Sequence, residues 1–306
     1  MDWTETPAAL ARACAEEPVT FAGADGLLAG IFTPPASAGP AANRCVIFPA
    51  RPRFGTRRLA VHAARALAAE GFAALRFDLR GHGESAGPTV SVDRNQPPYG
   101  DDVAAAIGYL RETKFQCRFL LVGYCFDALS ALDAFRSEAD AIDGLFFAAA
   151  PVLVEPFTDL ESVSSRIENR RGFSQRFGRS LRYPIKLIST VMPRLRRRKD
   201  PTEDARSRWC AQIPDSFESA FAALMQSRAR ALFLYGEDEP FYREFKLVER
   251  RLLADLDDAA RRRVRIEVWP GAVHSLEREP AILDRVVSWA REFKPLTSNR
   301  SRHLSL

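Results

Sequence analysis

The chain has 306 residues, 46% of them hydrophobic and 27% charged, with a formal net charge of +5. Those fractions exclude a disordered, collagen-like or coiled-coil chain, and the length suits one large α/β domain carrying an insertion. The net charge is too small to argue for nucleic acid unless it is concentrated somewhere, and no stretch approaches the roughly 18 uninterrupted apolar residues of a spanning helix.

Residues 1–18 hold Asp2, Glu5, Glu16 and Glu17 and no long apolar run, unlike an export signal. The five cysteines (Cys14, Cys45, Cys117, Cys125 and Cys210) show no paired spacing, so neither a disulfide framework nor a zinc site is indicated. No metal and no cofactor is expected, and the chain reads as cytoplasmic. Residues 19–21, the turn Ala24–Asp25–Gly26 and residues 27–32 predict two strands joined by a tight turn. A Pro/Ala/Ser loop over 34–43 precedes Cys45–Val46–Ile47–Phe48, the short apolar run of a strand buried on both faces. A helix is predicted over 57–70, ended by Gly71, then a strand over 72–79. The next helix, over 98–112, has Asp101 and Asp102 in its first turn, where the helix dipole favours acids. A strand over 119–124, a helix over 126–136 and strands over 145–152 and 231–235 follow. A helix over 243–256, a strand over 264–269 and a helix over 282–293 complete the pattern. Such alternation means a mostly parallel sheet covered on both sides.

One stretch breaks the alternation. Between Val152 and Arg230 there is no strand of the core type, but there are Pro184, Pro193, Pro201 and much arginine. An insertion this long is better read as a cap over a site than as a structureless loop. The predicted organisation is a core over 1–152 and 229–295, a helical basic cap over 153–228, and a loose tail over 296–306.

Gly123–Tyr124–Cys125–Phe126–Asp127 falls at a predicted strand-to-helix junction. A nucleophile elbow needs that context, because a sharp turn there holds a Ser, Cys or Asp at the helix N-terminus. The helix dipole and a nearby base then favour the thiolate. Small residues are usual two before and two after the nucleophile; Gly123 satisfies the first place and Asp127 departs from the second. The plain alternative for Cys125 is an inert buried thiol. The chain has four histidines, and only His274, in Pro270–Gly271–Ala272–Val273–His274–Ser275, follows the last strand and precedes the last helix. A general base must stand on a loop at the C-terminal edge of the sheet, which suits His274 well and His82 less well. The run Glu237–Asp238–Glu239 after the strand at 231–235 offers three carboxylates, one of which would orient the imidazole.

The order nucleophile, acid, histidine, together with Leu75–Arg76–Phe77–Asp78–Leu79–Arg80–Gly81–His82–Gly83–Glu84–Ser85, resembles the α/β-hydrolase superfamily over nearly the whole chain. The resemblance implies an α/β-hydrolase fold: a mostly parallel eight-stranded sheet flanked by helices, with a helical cap insertion. A cysteine nucleophile resembles the dienelactone hydrolases and the polyhydroxyalkanoate synthases, both of which keep a glycine where this chain has Asp127. The superfamily's acid lies three residues after the glycine that ends its strand, which implies Glu239, with Asp238 as the near alternative. It also implies an oxyanion hole made by the backbone N–H groups of Phe126 and Arg51; the latter stands in Pro49–Ala50–Arg51–Pro52, where neither proline has a donor. The expected function is hydrolysis of an ester or thioester through a covalent acyl-enzyme on Cys125, His274 and Glu239. The alternatives are an acyltransferase that passes the acyl group to an alcohol or amine, and a non-catalytic binding protein on the same fold.

From Arg166 to Arg208 fourteen Lys and Arg stand against four acids, so the cap carries more positive charge than the whole chain's excess. Arg196, Arg197 and Arg198 are its densest cluster and are candidates for binding an anionic donor such as a coenzyme A or carrier-protein thioester. The apolar stripe Ile185, Leu187, Ile188, Val191, Met192 and Leu195 beside them also suits an anionic membrane surface. A lid helix with a solvated charged face is the plain reading of the same pattern. Nucleic acid is not expected, since no reader motif accompanies the charge.

Overall fold

The short apolar runs and the helical patterns between them resolve into one eight-stranded sheet with helices on both faces. The computed structural model describes residues 15–37, 39, 41–90, 94, 99–114, 116–154, 212–254, 256–274, 276 and 281–294. The chain divides into two compact units, 1–152 with 213–306, and 153–212. In the second unit only Leu153, Val154 and Gln212 are described, and there Val154 N–H donates to Gln212 C=O at 2.9 Å. Most of the expected cap, with Arg196, Arg197 and Arg198, lies outside the described residues. Residues 213–228, expected as its end, belong instead to the first unit.

Strands β1 (Glu17–Gly23) and β2 (Gly26–Thr33) form the expected hairpin, in register from Glu17↔Phe32 to Gly23↔Gly26. The strands β3 (Arg44–Ala50), β4 (Ala73–Asp78), β5 (Arg118–Tyr124), β6 (Ile142–Ala148), β7 (Arg230–Gly236) and β8 (Val264–Trp269) then run parallel to one another. The sheet order is β1-β2-β4-β3-β5-β6-β7-β8, so the chain reverses its direction of advance at β3. In such sheets the crevice beyond the carboxyl ends of the strands at the reversal is the ordinary place for a site.

Period-two alternation sorts the strand side chains between two layers. Val46, Phe48, Leu120, Val122, Phe146, Ala148, Leu232 and Leu234 share a core with helices α1 (Leu59–Ala69) and, near the C-terminus, α7 (Ala281–Arg291). Both helices are apolar on the inner face; Leu67, Ile282, Val286 and Trp289 are buried there. On the other side α2 (Gly100–Lys114), α3 (Phe126–Glu138) and α4 (Asp215–Gln226) pack side by side. Phe233 meets Phe147, Phe221 of α4 and Phe245 of α5 (Pro240–Leu253) at ring distances of 5.2, 6.4 and 6.1 Å. Each such ring or Leu side chain taken fully out of water contributes about 1.5–3 kcal/mol.

The larger differences from the sequence reading fall at the sixth strand, at α5 and before β8. The sixth strand ends at Ala148 and not at Val152, because Ala149 turns out of the ladder with φ 56° while its N–H reaches Leu234 C=O at 2.9 Å. Helix α5 begins at Pro240, a residue whose fixed φ and missing N–H suit the first helical position. A short helix α6 (Asp258–Arg263) precedes β8, capped by Asp257, whose carboxylate accepts from Ala260 N–H at 2.6 Å.

Candidate active site

Cys125 stands between the last residue of β5 and the first of α3, with φ 51° and ψ −124°. A non-glycine residue in that region carries strain of about 1–3 kcal/mol and persists only where its surroundings fix it. They do so here: Cys125 N–H donates to Ala148 C=O at 2.8 Å, and its own C=O accepts from Ala128 N–H at 3.1 Å. Gly123 is required because a Cβ there would lie 2.5 Å from Ala128 Cα. The result is a thiol presented at the N-terminus of a thirteen-residue helix.

Glu239 and His274 approach it from the ends of β7 and β8. Glu239 is fully buried, and its Oε1 lies 2.5 Å from His274 Nδ1. Asp238, the alternative acid, is exposed, and its backbone N–H ties the loop down by donating to Ala272 C=O at 3.0 Å. Glu237 N–H likewise donates to Trp269 C=O at 2.9 Å. The two loops come this close because Gly236 has no side chain; a Cβ there would lie 2.3 Å from Ala272 C=O. The neighbouring Cys125 side chain, followed by the bond to Glu239, pushes the imidazole pKa up to about 10.

The ring is also held from the side. Phe241 meets it edge-on, with centroids 5.0 Å apart and an interplanar angle of 88°. Arg94 Cζ lies 5.1 Å from the Phe241 ring and 5.5 Å from the Phe126 ring. Its Nη1 donates to both oxygens of the buried Glu244, at 3.0 and 2.9 Å. Sequence reasoning missed this network, whose pair of charges is 150 residues apart along the chain.

On the opposite side of Cys125 the loop after β3 carries Arg51. Among the described residues no backbone acceptor takes the N–H of Arg51 or of Phe126, and Phe126, as the first residue of α3, has no intrahelical acceptor to use. The Arg51 side chain turns toward the elbow, where its Nη2 lies 2.7 Å from Asp127 Oδ1. Burial raises the Asp127 pKa to about 6 against the opposing pull of Arg51. Arg51 Cζ also lies 5.8 Å from the Tyr99 ring, whose hydroxyl is 3.1 Å from His82 Nε2. Burial, and then the charge of Arg51, lowers the pKa of His82.

Cys125, His274, Arg51, Asp127 and His82 all line one cavity of about 380 Å³. The block Asp78–Ser85 that carries the family resemblance lies beside it and is largely scaffolding. Asp78 accepts from Arg53 N–H at 2.5 Å and Glu84 N–H at 3.0 Å and pairs with the Arg53 guanidinium. Ser85 Oγ donates to Asp78 C=O at 2.5 Å and accepts from Ala29 N–H at 2.9 Å. These bonds pin the turn that points His82 at the cavity. Among the described residues no group of three or more His, Cys, Asp or Glu is placed to hold a metal ion, and no helix is long and apolar enough to cross a membrane.

A parallel sheet with an elbow after β5, an acid after β7 and a histidine after β8 defines an α/β-hydrolase. Residues 56–281 match the sequence model of the family described as serine aminopeptidase, S33, and the chain belongs to that family. No curated protein matches significantly. Among solved structures the chain is similar to an esterase of Pyrococcus furiosus, at 17% identity and a TM-score of 0.58, covering 95% of this chain and 94% of that one. It is also similar to an α/β serine hydrolase without lid from Xanthomonas campestris, at 17% identity and a TM-score of 0.54, with 92% and 96% covered. An α/β serine hydrolase homologue from Coxiella burnetii matches at 16% identity and a TM-score of 0.52, with 89% and 96% covered. These identities speak for the fold. Family and fold together make the protein a hydrolase.

Proposed function

We propose that the protein hydrolyses an ester or thioester through a covalent acyl-enzyme on Cys125. One observation carries the reading: the residue at the elbow is a thiol that lines one cavity with a histidine, which is itself bonded to a buried carboxylate. The family description and two of the neighbours speak of serine, whereas the elbow here holds cysteine.

In this reading His274 begins as the imidazolium that its raised pKa favours. Cys125 attacks as the thiolate, forming a C–S bond to the carbonyl carbon while the carbonyl π pair moves onto oxygen. The N–H groups of Phe126 and Arg51 donate to that oxyanion; one such donor is worth about 3 kcal/mol in the transition state. Collapse expels the alkoxide or thiolate, which takes its proton from the His274 imidazolium. The neutral imidazole, held in one tautomer by Glu239, then removes a proton from water as the water attacks the acyl-enzyme. Expulsion of Cys125 thiolate releases the acid and leaves His274 protonated again.

The test is a panel of small esters and acyl thioesters with intact-mass detection. Wild type should gain the mass of one acyl group at Cys125 early in turnover. Cys125→Ala should be inactive while folded, and Cys125→Ser far weaker than wild type, since a hydroxyl needs full general-base help from a histidine that is kept charged. Turnover near wild type in Cys125→Ala would remove Cys125 as the nucleophile.

A further inference from the structure

Asp127 occupies the place two residues after the nucleophile, where elbows ordinarily have a small residue. Its side chain is nearly buried, and it reaches across the cavity floor to Arg51 Nη2 at 2.7 Å. The two residues joined in this way are not arbitrary. Arg51 itself supplies one of the N–H groups assigned above to the oxyanion, and Asp127 directly follows Phe126, which supplies the other. The elbow is rigid, fixed by the bonds of Cys125 to Ala148 and Ala128. The loop bearing Arg51 leaves the sheet after Ala50, whose C=O accepts from Leu79 N–H at 3.2 Å, and is tied again where Pro52 C=O accepts from Gly55 N–H at 2.9 Å. Between those points the Arg51 side chain adds the ion pair to Asp127 and a contact with the Tyr99 ring.

We propose that Asp127 is a positioning residue which, through its ion pair with Arg51, holds the N–H groups of Arg51 and Phe126 at the spacing an oxyanion requires. The proposal rests on the acyl-enzyme reading above. A misplacement of about 1 Å in such a constellation lowers the rate on the order of a hundredfold, so a side-chain strut at this point is worth the burial of a carboxylate. The groups that surround the pair are Cys125 from the elbow, His82 from the loop after β4 and His274 from the loop after β8, all on the same cavity. Protonation of Asp127 as pH falls through about 6 would release Arg51.

The experiment compares two reactions of Cys125 in the full-length protein. Alkylation by iodoacetamide forms no oxyanion, whereas transfer from an activated acyl ester does. Asp127→Asn should lower the acylation rate about 10- to 100-fold with little change in KM, and leave the alkylation rate within about twofold of wild type. Arg51→Met, which keeps its backbone N–H, should match it, and the double variant should be no worse than either single one. Arg51→Lys, which retains the charge, should recover most of the acylation rate. Wild-type acylation should fall as pH drops through about 6, a limb absent from Asp127→Asn. Acylation near wild type in Asp127→Asn, with Cys125→Ala inactive, overturns the proposal and leaves the acyl-enzyme reading standing. Loss of alkylation and acylation together also overturns it, since Asp127 would then be supporting the elbow itself. Full turnover in Cys125→Ala removes the reading and the proposal with it.

Discussion

Replacing Glu239 by Gln removes one charge and almost no volume from a fully buried position 2.5 Å from His274 Nδ1. Two unit charges whose centres are about 4 Å apart interact by about 4 kcal/mol at an effective dielectric of 20. Nearly half of the imidazole side chain is exposed, and discounting for solvent leaves about 2 kcal/mol. That is roughly thirtyfold in the stability of the imidazolium. The introduced amide can also turn its NH₂ toward the ring and hold the wrong tautomer, so the loss in turnover should be about thirtyfold or more. Asp238→Asn is the control, because that carboxylate is exposed and only its backbone bonds to Ala272; it should change turnover by less than about twofold. Steady-state hydrolysis gives the rates, and an NMR titration of the His274 ring should show its deprotonation moving to lower pH in Glu239→Gln. A Glu239→Gln variant as active as wild type, or an Asp238→Asn variant that loses more, would refute the assignment of the acid.

Two further outcomes follow from the geometry. The pKa of His274 is raised in the fold from 6.5 to about 10, so the stability this group contributes is fully present below about pH 6.5 and is lost as pH rises through about 10. The difference in Tm between wild type and His274→Gln, followed by calorimetry from about pH 6 to 11, should shrink across that window; a difference independent of pH would mean the imidazolium is not stabilised by its partners. Gly236→Ala places a methyl group 2.3 Å from Ala272 C=O, a backbone clash that must part the loops bearing Glu239 and His274. It should lower stability by about 1–3 kcal/mol in urea unfolding and turnover with it, and an unimpaired alanine variant would show that the loops do not need this approach.

What the chain revealed in advance follows from how local each signal is. The strand-to-helix junction at Cys125 is announced within five residues by Gly123 and by the change of hydrophobic period, and the elbow lies where that pattern puts it. Choosing between Glu239 and Asp238 took family spacing, since three adjacent carboxylates look alike until one knows which is buried. Gly236 serves the sequence reading only as a marker of spacing, and it carries a second signal. A glycine closing an apolar strand can mean a turn, but here it marks the close passage of a second loop more than thirty residues on. Arg94 and Glu244 carried no signal at all, because nothing in either neighbourhood speaks of the other. The end of the sixth strand was misjudged because Ala149–Ala150–Pro151–Val152 is as apolar as a strand, while its departure from the sheet is set by the backbone of Ala149. Helix α4 was assigned to the cap for want of flanking strands, yet its Phe221 packs toward Phe233 of the sheet.

Asp127 looks at first like damage to the elbow, and the arrangement of charge shows why it need not be. In the proposed reaction the carbonyl oxygen becomes an anion during the attack. A bare carboxylate two residues away would oppose that change, in a cavity whose walls are partly apolar and so screen little. Arg51 cancels that effect at 2.7 Å. Around the cavity each carboxylate meets a basic group: Glu239 the His274 ring, and Asp127 the Arg51 guanidinium. Each anion has a cation next to it, which is the condition for keeping so many charges in a partly buried site. On the proposal above, Asp127 without Arg51 would put an unpaired carboxylate beside the developing oxyanion, and Arg51 without Asp127 would lose the contact that holds its N–H in place. On the proposal above the two residues act as a pair, which gives Asp127 a use where elbows ordinarily have a glycine.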